Sequence, residues 1–291
     1  MASDFRLSPA RRTAVAMAMR FTTAPHIMGI VNATTDSFFE GSRSLNDEAV
    51  ERGLAMWDEG ATWVDVGGES TRPGANPIGI EQELQRVLPV IRGLRTARPK
   101  GFISIDTRHA VVAQAAIEAG ADMVNDVSGL RDPDMMDVVV TTGCGVCVMH
   151  MKGEPGTMQE NPIYEDVVEE VRDSLDEVKQ ALTARGHPSQ LISLDPGIGF
   201  GKNQDHNIAL LMEGRDLLKT EGALLWGVSR KSIVGHLTGH SDPAHRLPGT
   251  LGLAAVAHQM GVDIVRVHDV PEHRDLFKAM TLGSAHSEHI E

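Results

Sequence analysis

Polar side chains stand at the ends of short apolar runs throughout this chain, and their types could bind a ligand through charge and hydrogen bonds. The set is Asn32, Asp65, Asp106, Asn125, His150, Asp195, Ser229 and His268. Arg266 lies two residues before His268 in the run IVRVHD, so both side chains point the same way along a strand. Arginine and histidine donors together suit an anion. Arg266 could instead be a structural counter-ion for Asp65 or Asp195, and both roles can hold at once.

The segment WGVSRKS offers a second place for an anion. Ser229 stands where it could cap a helix, and Lys231 follows it at the predicted helix start. Exposed N–H groups at that end of a helix bind carboxylate or phosphate. The segment is not the nucleophile elbow of hydrolases, because Lys231 occupies the position of the second glycine.

The glycine-rich run DPGIGFGK, at 195–202, resembles a nucleotide-binding loop only superficially. Pro196 and Asn203 stand where the phosphate-binding loop needs a glycine and a hydroxyl, and Lys202 replaces the last glycine of the dinucleotide pattern. We interpret the run as a flexible turn behind the Asp195 carboxylate. Phe200 in this turn could lie against a flat ligand.

Eight apolar runs of strand length alternate with segments long enough for one helix each. The runs are 26–32, 62–68, 102–107, 123–129, 145–150, 191–197, 224–229 and 264–269. Strand and helix repeated in this way predict an α/β fold, a single-domain (β/α)8 TIM barrel over 25–282. A short N-terminal extension at 1–24 should lie over the barrel floor, and 283–291 should form a flexible tail. The polar strand ends would then surround one mouth, where barrel enzymes keep their active sites.

Composition excludes several classes of function. The formal net charge is −13 and the pI is near 5.4, so the chain lacks the basic face that nucleic acid requires. No apolar stretch reaches the length of a membrane helix, and Arg20 interrupts the short N-terminal apolar patch. The two cysteines, Cys144 and Cys147, could be a redox pair, but they lead into a predicted strand and are better interpreted as core residues of a reduced, cytoplasmic protein.

Taken together, the motifs resemble those of the dihydropteroate synthase family. The matching segments are MGIVNATTDSF, VDVGGESTRPG, SIDT, NDVSG, VMHMKG with PGTMQ, LDPGIGFGK, SRKS and RVHDV. They occur in this order and cover about residues 26–280. Each segment is weakly specific by itself, but the ordered set is highly specific.

The resemblance implies a transferase of folate synthesis. The family joins 6-hydroxymethyl-7,8-dihydropterin pyrophosphate to 4-aminobenzoate and releases pyrophosphate and 7,8-dihydropteroate. Asp106, Lys231 and Arg266 would be catalytic. The residues implied to bind the pterin are Asp106, Asn125, Asp195, Lys231 and Arg266.

The resemblance also implies sites for the other ligands and a partner. The pyrophosphate would be bound by Asn32, Arg72, Arg266 and His268. The 4-aminobenzoate pocket would be lined by Thr71, Arg72, Pro73, Phe200 and Ser229. The cofactor would be Mg²⁺ near Asn32, and the chain would form a homodimer.

The departures from the family pattern concentrate in the first loop, and two rival functions stay open. Ala33 and Thr35 replace the usual valine and proline, whereas Asn32 and Asp36 are retained, so we expect activity. A folate-dependent methyltransferase would use a similar pterin site on a similar barrel but would not need the pyrophosphate-binding residues. A catalytically silent relative that binds a pterin or a partner enzyme is the other alternative.

Overall fold

The eight strands form a closed parallel barrel in which each strand pairs with the next along the chain. The computed structural model describes residues 5–33, 42–69, 78–153, 157–219 and 221–287. The strands are β1 (His26–Asn32), β2 (Trp63–Gly67), β3 (Phe102–Asp106), β4 (Met123–Asp126), β5 (Gly145–Met149), β6 (Ile192–Asp195), β7 (Ala223–Trp226) and β8 (Ile264–Val267). The ring closes where β8 pairs with β1. The predicted TIM barrel is confirmed.

One helix precedes the first strand, and the others follow the strands and form the outer layer. They are α1 (Pro9–Ala18), α2 (Ser42–Glu59), α3 (Ile80–Ala97), α4 (Ala110–Ala119), α5 (Met135–Thr142), α6 (Val167–Ala184), α7 (Gln204–Glu213), α8 (Ser232–Thr238), α9 (Leu247–Gln259) and α10 (Val270–Ser287). Glycines with positive φ end several of them, among them Gly120 after α4 and Gly143 after α5. Helix α10 continues into the segment that the sequence predicted as a tail.

Several strands end earlier than their apolar runs because polar side chains take over the backbone hydrogen bonds. Strand β4 stops at Asp126, whose carboxylate accepts from the N–H groups of Ser128 and Leu130 at 2.7 and 3.0 Å. Asp195 ends β6 in the same way and accepts from the N–H of Gly197 at 2.7 Å. These carboxylates turn the chain out of the sheet and set the geometry of the loops at the mouth.

Helix α1 covers the floor of the barrel. Its Val15 and the following Met19 pack into a cluster with the inward side chains of the strand beginnings, among them Trp63 and Met28. The indole N–H of Trp63 donates to the Ala18 carbonyl at 2.8 Å. The N-terminal segment therefore covers the interior from below.

Both cysteines lie in the core as free thiols. Burial raises the pKa of the Cys144 thiol to about 11 and raises that of Cys147 as well. A thiol in this state is a poor nucleophile, which agrees with the prediction of core cysteines. Among the described helices, none has both the length and the apolar character needed to cross a membrane.

Candidate active site

Arg266 joins two carboxylates at the centre of the barrel mouth. Its Nε lies 2.6 Å from Asp65 Oδ2, and its Nη2 lies 2.5 Å from Asp106 Oδ2. Asn125 adds to the cluster through its amide, which donates to Asp65 Oδ2 at 3.2 Å. Strand register explains the arrangement. Asp106 lies beside Gly67 of β2 and Asn125 of β4 at the rim. Asp65 precedes Gly67 by two residues, so it points to the same side but lies deeper in the barrel.

One arginine serves two buried carboxylates in this cluster, and the charges do not balance. Burial raises the pKa of Asp106 to about 7, Arg266 opposes the shift, and the nearby Asp65 adds to it. Burial lowers the pKa of Arg266, but the two carboxylates outweigh this effect and raise it above its ordinary value. Within the described residues, Asp65 Oδ1 is buried without a hydrogen-bond partner. A carboxyl group that changes charge near neutral pH, beside a permanent cation, is typical of a catalytic site.

Asp195 and Lys231 form the opposite wall. The position of Gly227 lies between them: a Cβ built there would be 3.7 Å from Asp195 Oδ2 and 3.8 Å from Lys231 Nζ. Lys231 Nζ donates to the Ile198 carbonyl at 2.7 Å and lies 4.5 Å from the centre of the Phe200 ring. Burial lowers the pKa of Lys231 to about 8, and Asp195 opposes the shift. Burial also raises the pKa of Asp195, against the effect of Lys231.

The ends of β7 and β8 are tied together by two contacts between their loops. Ser229 Oγ lies 3.0 Å from His268 Nδ1 and accepts from the His268 N–H at 3.3 Å. Arg230 next to it pairs with both oxygens of Asp269, at 2.9 and 2.6 Å. Arg230 has φ of +57°, a left-handed conformation that is uncommon outside glycine. These contacts fix Ser229 and His268 at the rim.

Asn32 ends β1 at the rim, and its side chain is exposed. An exposed amide oxygen is a hard donor of the kind that Mg²⁺ accepts. In the part of the chain that the structure describes, no three His, Cys, Asp or Glu side chains are grouped so that they could hold a metal. Mg²⁺ commonly has few protein ligands and completes its shell with waters and substrate phosphates, so Asn32 fits this chemistry.

The structure brings most of the residues named from the sequence to one mouth. The side chains of Asp106, Asp195, Lys231 and Arg266 lie close together. Against the effect of burial, Arg266 lowers the pKa of both carboxyl groups, and Lys231 lowers the pKa of Asp195. Three other residues, Thr71, Arg72 and Pro73, lie outside the described residues. The sequence placed Asp65 at the mouth and named it as a possible counter-ion of Arg266, and the ion pair of the two side chains agrees with that alternative.

The sequence missed a role for Lys202. Lys202 is 2% exposed and lies with its Nζ 3.0 Å from His150 Nδ1. In the sequence, Lys202 had the ordinary appearance of a surface lysine after a glycine-rich turn. Only the folding of this turn against the end of β5 buries it.

Comparison with known proteins identifies the family. A family model described as pterin binding enzyme matches residues 28–268. The chain is 44% identical over 250 residues to the dihydropteroate synthase of Escherichia coli strain K12, an alignment that covers 85% of this chain and 88% of that protein.

Solved dihydropteroate synthase structures share the fold, among them the following two. The dihydropteroate synthase of Xanthomonas albilineans, solved with 4-aminobenzoic acid, superposes with a TM-score of 0.83 and 40% identity, covering 90% of this chain and 94% of the other. That of Burkholderia cenocepacia, complexed with 7,8-dihydropteroate, gives a TM-score of 0.83 and 40% identity, covering 91% and 93%. The chain therefore belongs to the pterin-binding enzymes and, within them, to the dihydropteroate synthase family of transferases in folate synthesis.

Proposed function

We infer that the mouth of this barrel condenses 6-hydroxymethyl-7,8-dihydropterin pyrophosphate with 4-aminobenzoate to form 7,8-dihydropteroate and pyrophosphate. One observation carries the inference: Asp106, Asp195, Lys231 and Arg266 converge on one buried mouth, together with Asp65, so that three carboxyl groups face two cations. A dihydropterin presents N–H donors and ring acceptors along one edge, so it can satisfy both the carboxylates and the lysine. The bound product and aminobenzoate of the two relatives support the assignment.

The pterin would lie between the two walls of the mouth. We assign its edge to Asp106, Asn125, Asp195 and Lys231, because these side chains supply both acceptors and donors. Arg266 would stack over the ring face. Its guanidinium is already held by Asp65 and Asp106, so its plane is fixed before the ligand binds.

The diphosphate would lie toward β1 and β8. Asn32, Arg266 and His268 supply an amide, a guanidinium and an imidazole there, and Arg72 belongs to the same proposed set. Ser229 fixes the ring of His268 through its hydroxyl. Mg²⁺, bound by Asn32 and by diphosphate oxygens, would supply charge neutralisation for the leaving group.

The 4-aminobenzoate would lie above the pterin methylene. Phe200 and Ser229 border this space among the described residues, and we assign Thr71, Arg72 and Pro73 to it as well. Phe200 offers a flat apolar face, and its ring also contacts Lys231 Nζ. This contact links the aminobenzoate side of the mouth to the pterin side.

The reaction needs electrostatic stabilisation and no protein nucleophile. The bond between the pterin methylene and the diphosphate oxygen breaks, and its electron pair leaves with the diphosphate. The positive charge left on the methylene spreads into the pterin ring, where the Asp106 carboxylate stabilises it. Arg266 and His268 stabilise the negative charge on the departing oxygens. The aminobenzoate nitrogen then bonds to the methylene carbon and loses one proton.

We further propose that the chain is cytoplasmic and forms a homodimer through its later helices. The free, buried thiols of Cys144 and Cys147 support a reducing compartment. The exposed side chains of Met212 in α7 and Leu237 in α8 support a contact there. Sedimentation velocity should give a species of twice the chain mass, and a monomer at micromolar concentration would contradict the dimer.

A coupled assay of pyrophosphate release tests the function directly. Release should require both substrates and Mg²⁺, and it should stop when either substrate or the metal is withheld. Methyl transfer from a methylated folate, without pyrophosphate release, would favour the methyltransferase. Binding of the pterin without any turnover would favour a silent relative.

A further inference from the structure

A second buried lysine holds the glycine-rich loop after β6, and the proposed reaction does not use it. Lys202 Nζ lies 3.0 Å from His150 Nδ1, 3.0 Å from the Phe200 carbonyl and 3.2 Å from the Gly197 carbonyl. The His150 carbonyl is 3.3 Å away. The ammonium therefore lies in a cage of acceptors contributed by the loop itself and by the residue that follows β5.

The loop is pressed against the end of β5 so closely that only glycine fits at two positions. A Cβ at Gly197 would lie 1.9 Å from the His150 carbonyl oxygen, and one at Gly201 would lie 2.3 Å from the Lys152 carbonyl oxygen. Both glycines also have φ near +60°, at +67° and +60°. This approach brings several carbonyl oxygens together, and a buried cation offsets their mutual repulsion.

A further carbonyl of the same loop, that of Ile198, contacts Lys231. The Ile198 carbonyl accepts from Lys231 Nζ at 2.7 Å, whereas the carbonyls of residues 197 and 200 on either side accept from Lys202. The Phe200 ring lies 4.5 Å from Lys231 Nζ. Two lysines thus hold one short loop, and only Lys231 belongs to the proposed substrate site.

We propose that Lys202 is a positioning residue: it fixes the glycine-rich loop so that Ile198 and Phe200 hold Lys231 for the pterin and present an aromatic face to the aminobenzoate. The role of Lys231 and Phe200 toward substrates rests on the proposed function. The positioning of the loop by Lys202 rests on the contacts of the chain alone.

The groups around Lys202 determine whether it carries the proton that this role needs. Burial and then the Lys202 ammonium lower the pKa of His150 to about 3, so His150 is neutral and can accept at Nδ1. Burial lowers the pKa of Lys202 to about 7, with Asp195 opposing and Lys231 adding to the shift. The facing groups are Asp195, Lys231 and His150, and loss of the Lys202 proton would remove one donor from the cage.

The test compares Lys202→Met with Lys152→Met. Methionine keeps the length and the apolar stem of lysine but has no ammonium, and Lys152 is a nearby exposed lysine paired with Glu170. We expect Lys202→Met to raise the KM for 4-aminobenzoate and to lower kcat, together roughly a tenfold or larger loss of kcat/KM. The control should stay within about twofold. Wild-type kinetics in Lys202→Met would overturn the proposal.

A second measurement does not depend on activity. Hydrogen exchange at the amides of residues 197–201 should be faster in Lys202→Met than in the wild type and in the control, because the loop has lost its cation. If Lys202→Met does not fold, His150→Leu removes one acceptor and keeps the lysine, and faster exchange in the same amides is expected. Unchanged exchange would overturn the proposal. An inactive wild type with faster exchange in the variant would instead reject the proposed function and keep the positioning role.

Discussion

The floor and the mouth of this barrel both bury carboxylates beside arginines, but Asp122 at the floor has partners for both of its oxygens, whereas Asp65 at the mouth has a partner for only one among the described residues. At the floor, Asp122 precedes β4 and accepts from Arg11 Nε at 2.6 Å through one oxygen. Its other oxygen accepts from Arg95 Nη2 at 2.7 Å and from the Ile103 N–H at 2.9 Å. Two arginines serve one carboxylate there, and nothing in the cluster is left for a ligand.

At the mouth, one arginine serves two carboxylates. Arg266 serves both Asp65 and Asp106, the second oxygen of Asp65 has no partner among the described residues, and burial raises the pKa of Asp106 to about 7. A paired cluster stabilises the folded chain, whereas an underpaired one keeps its hydrogen-bonding capacity for a substrate. The same residue types are therefore fully paired at one end of the barrel and underpaired at the other, which supports the proposed catalytic role of the mouth.

The largest expected effect comes from replacing Arg266 at the mouth and Arg95 at the floor by alanine, one at a time. Arg266→Ala should lower kcat/KM by roughly 10³-fold, because it removes the charge that stabilises the leaving group and orients Asp106. Arg95→Ala should leave kcat/KM within about twofold and lower the free energy of unfolding by about 3 kcal/mol. Steady-state kinetics and denaturant unfolding of both variants check this. Similar kinetics for the two would remove the distinction between the ends.

The next effect is on the pH profile of kcat/KM. Asp106 must be ionised to stabilise the pterin cation, and Lys231 must be protonated to donate, so activity should rise through about pH 7 and fall above about pH 8. At two pH units below the pKa of Asp106, kcat/KM should be roughly a hundredfold below its maximum. Asp106→Asn should abolish the acid limb, and Asp122→Asn should retain it. A profile that is flat between pH 5 and 7 would contradict the assignment.

The same carboxyl makes a prediction about stability. The pKa of Asp106 is raised from 3.8 to about 7 on folding, so the native chain binds more protons than the unfolded chain between these values. The contribution of Asp106 to stability is therefore present at low pH and is lost as the pH rises through that window. The free energy of unfolding of the wild type minus that of Asp106→Asn, measured with denaturant, should be smaller at pH 8 than at pH 5.

A smaller effect is expected from Asp65→Asn. The change keeps the shape of the side chain but removes a charge that both orients Arg266 and raises the pKa of Asp106. We expect roughly a tenfold lower kcat/KM, about 1.4 kcal/mol, together with an acid limb displaced to lower pH. Asp263→Asn, at the floor before β8, is the matched control and should not displace the limb. An unmoved limb in Asp65→Asn would show that Asp65 acts only on packing.

The smallest effect is expected from two serines. Ser229→Ala removes the hydroxyl that holds His268 and should raise the KM for substrates a few-fold, at a cost of about 1 kcal/mol. Ser8→Ala removes the hydroxyl that caps α1 at the floor and should lower the free energy of unfolding by about 1 kcal/mol without changing KM. Steady-state kinetics and thermal unfolding of both variants separate the two outcomes.

The sequence by itself determined the barrel and most of its rim. Eight apolar runs alternating with helix-length segments leave few other ways to bury their apolar side chains, and strand alternation predicted that Arg266 and His268 share a face. The family motifs then assigned Asp106, Asn125, Asp195 and Lys231 to one ligand. The barrel prediction is confirmed because it depends on local periodicity and on the order of the segments, whereas the assignment of these residues to one ligand stays a prediction.

Tertiary structure alone decided how the charges are shared. That Arg266 would pair with both Asp65 and Asp106, rather than with Asp195, follows from the register of β2, β3 and β8. The burial of Lys202 follows from a loop packed on a neighbouring strand, with no signal in its own segment. Pairing and desolvation depend on distances between segments far apart in the chain, and these distances exist only once the barrel has closed.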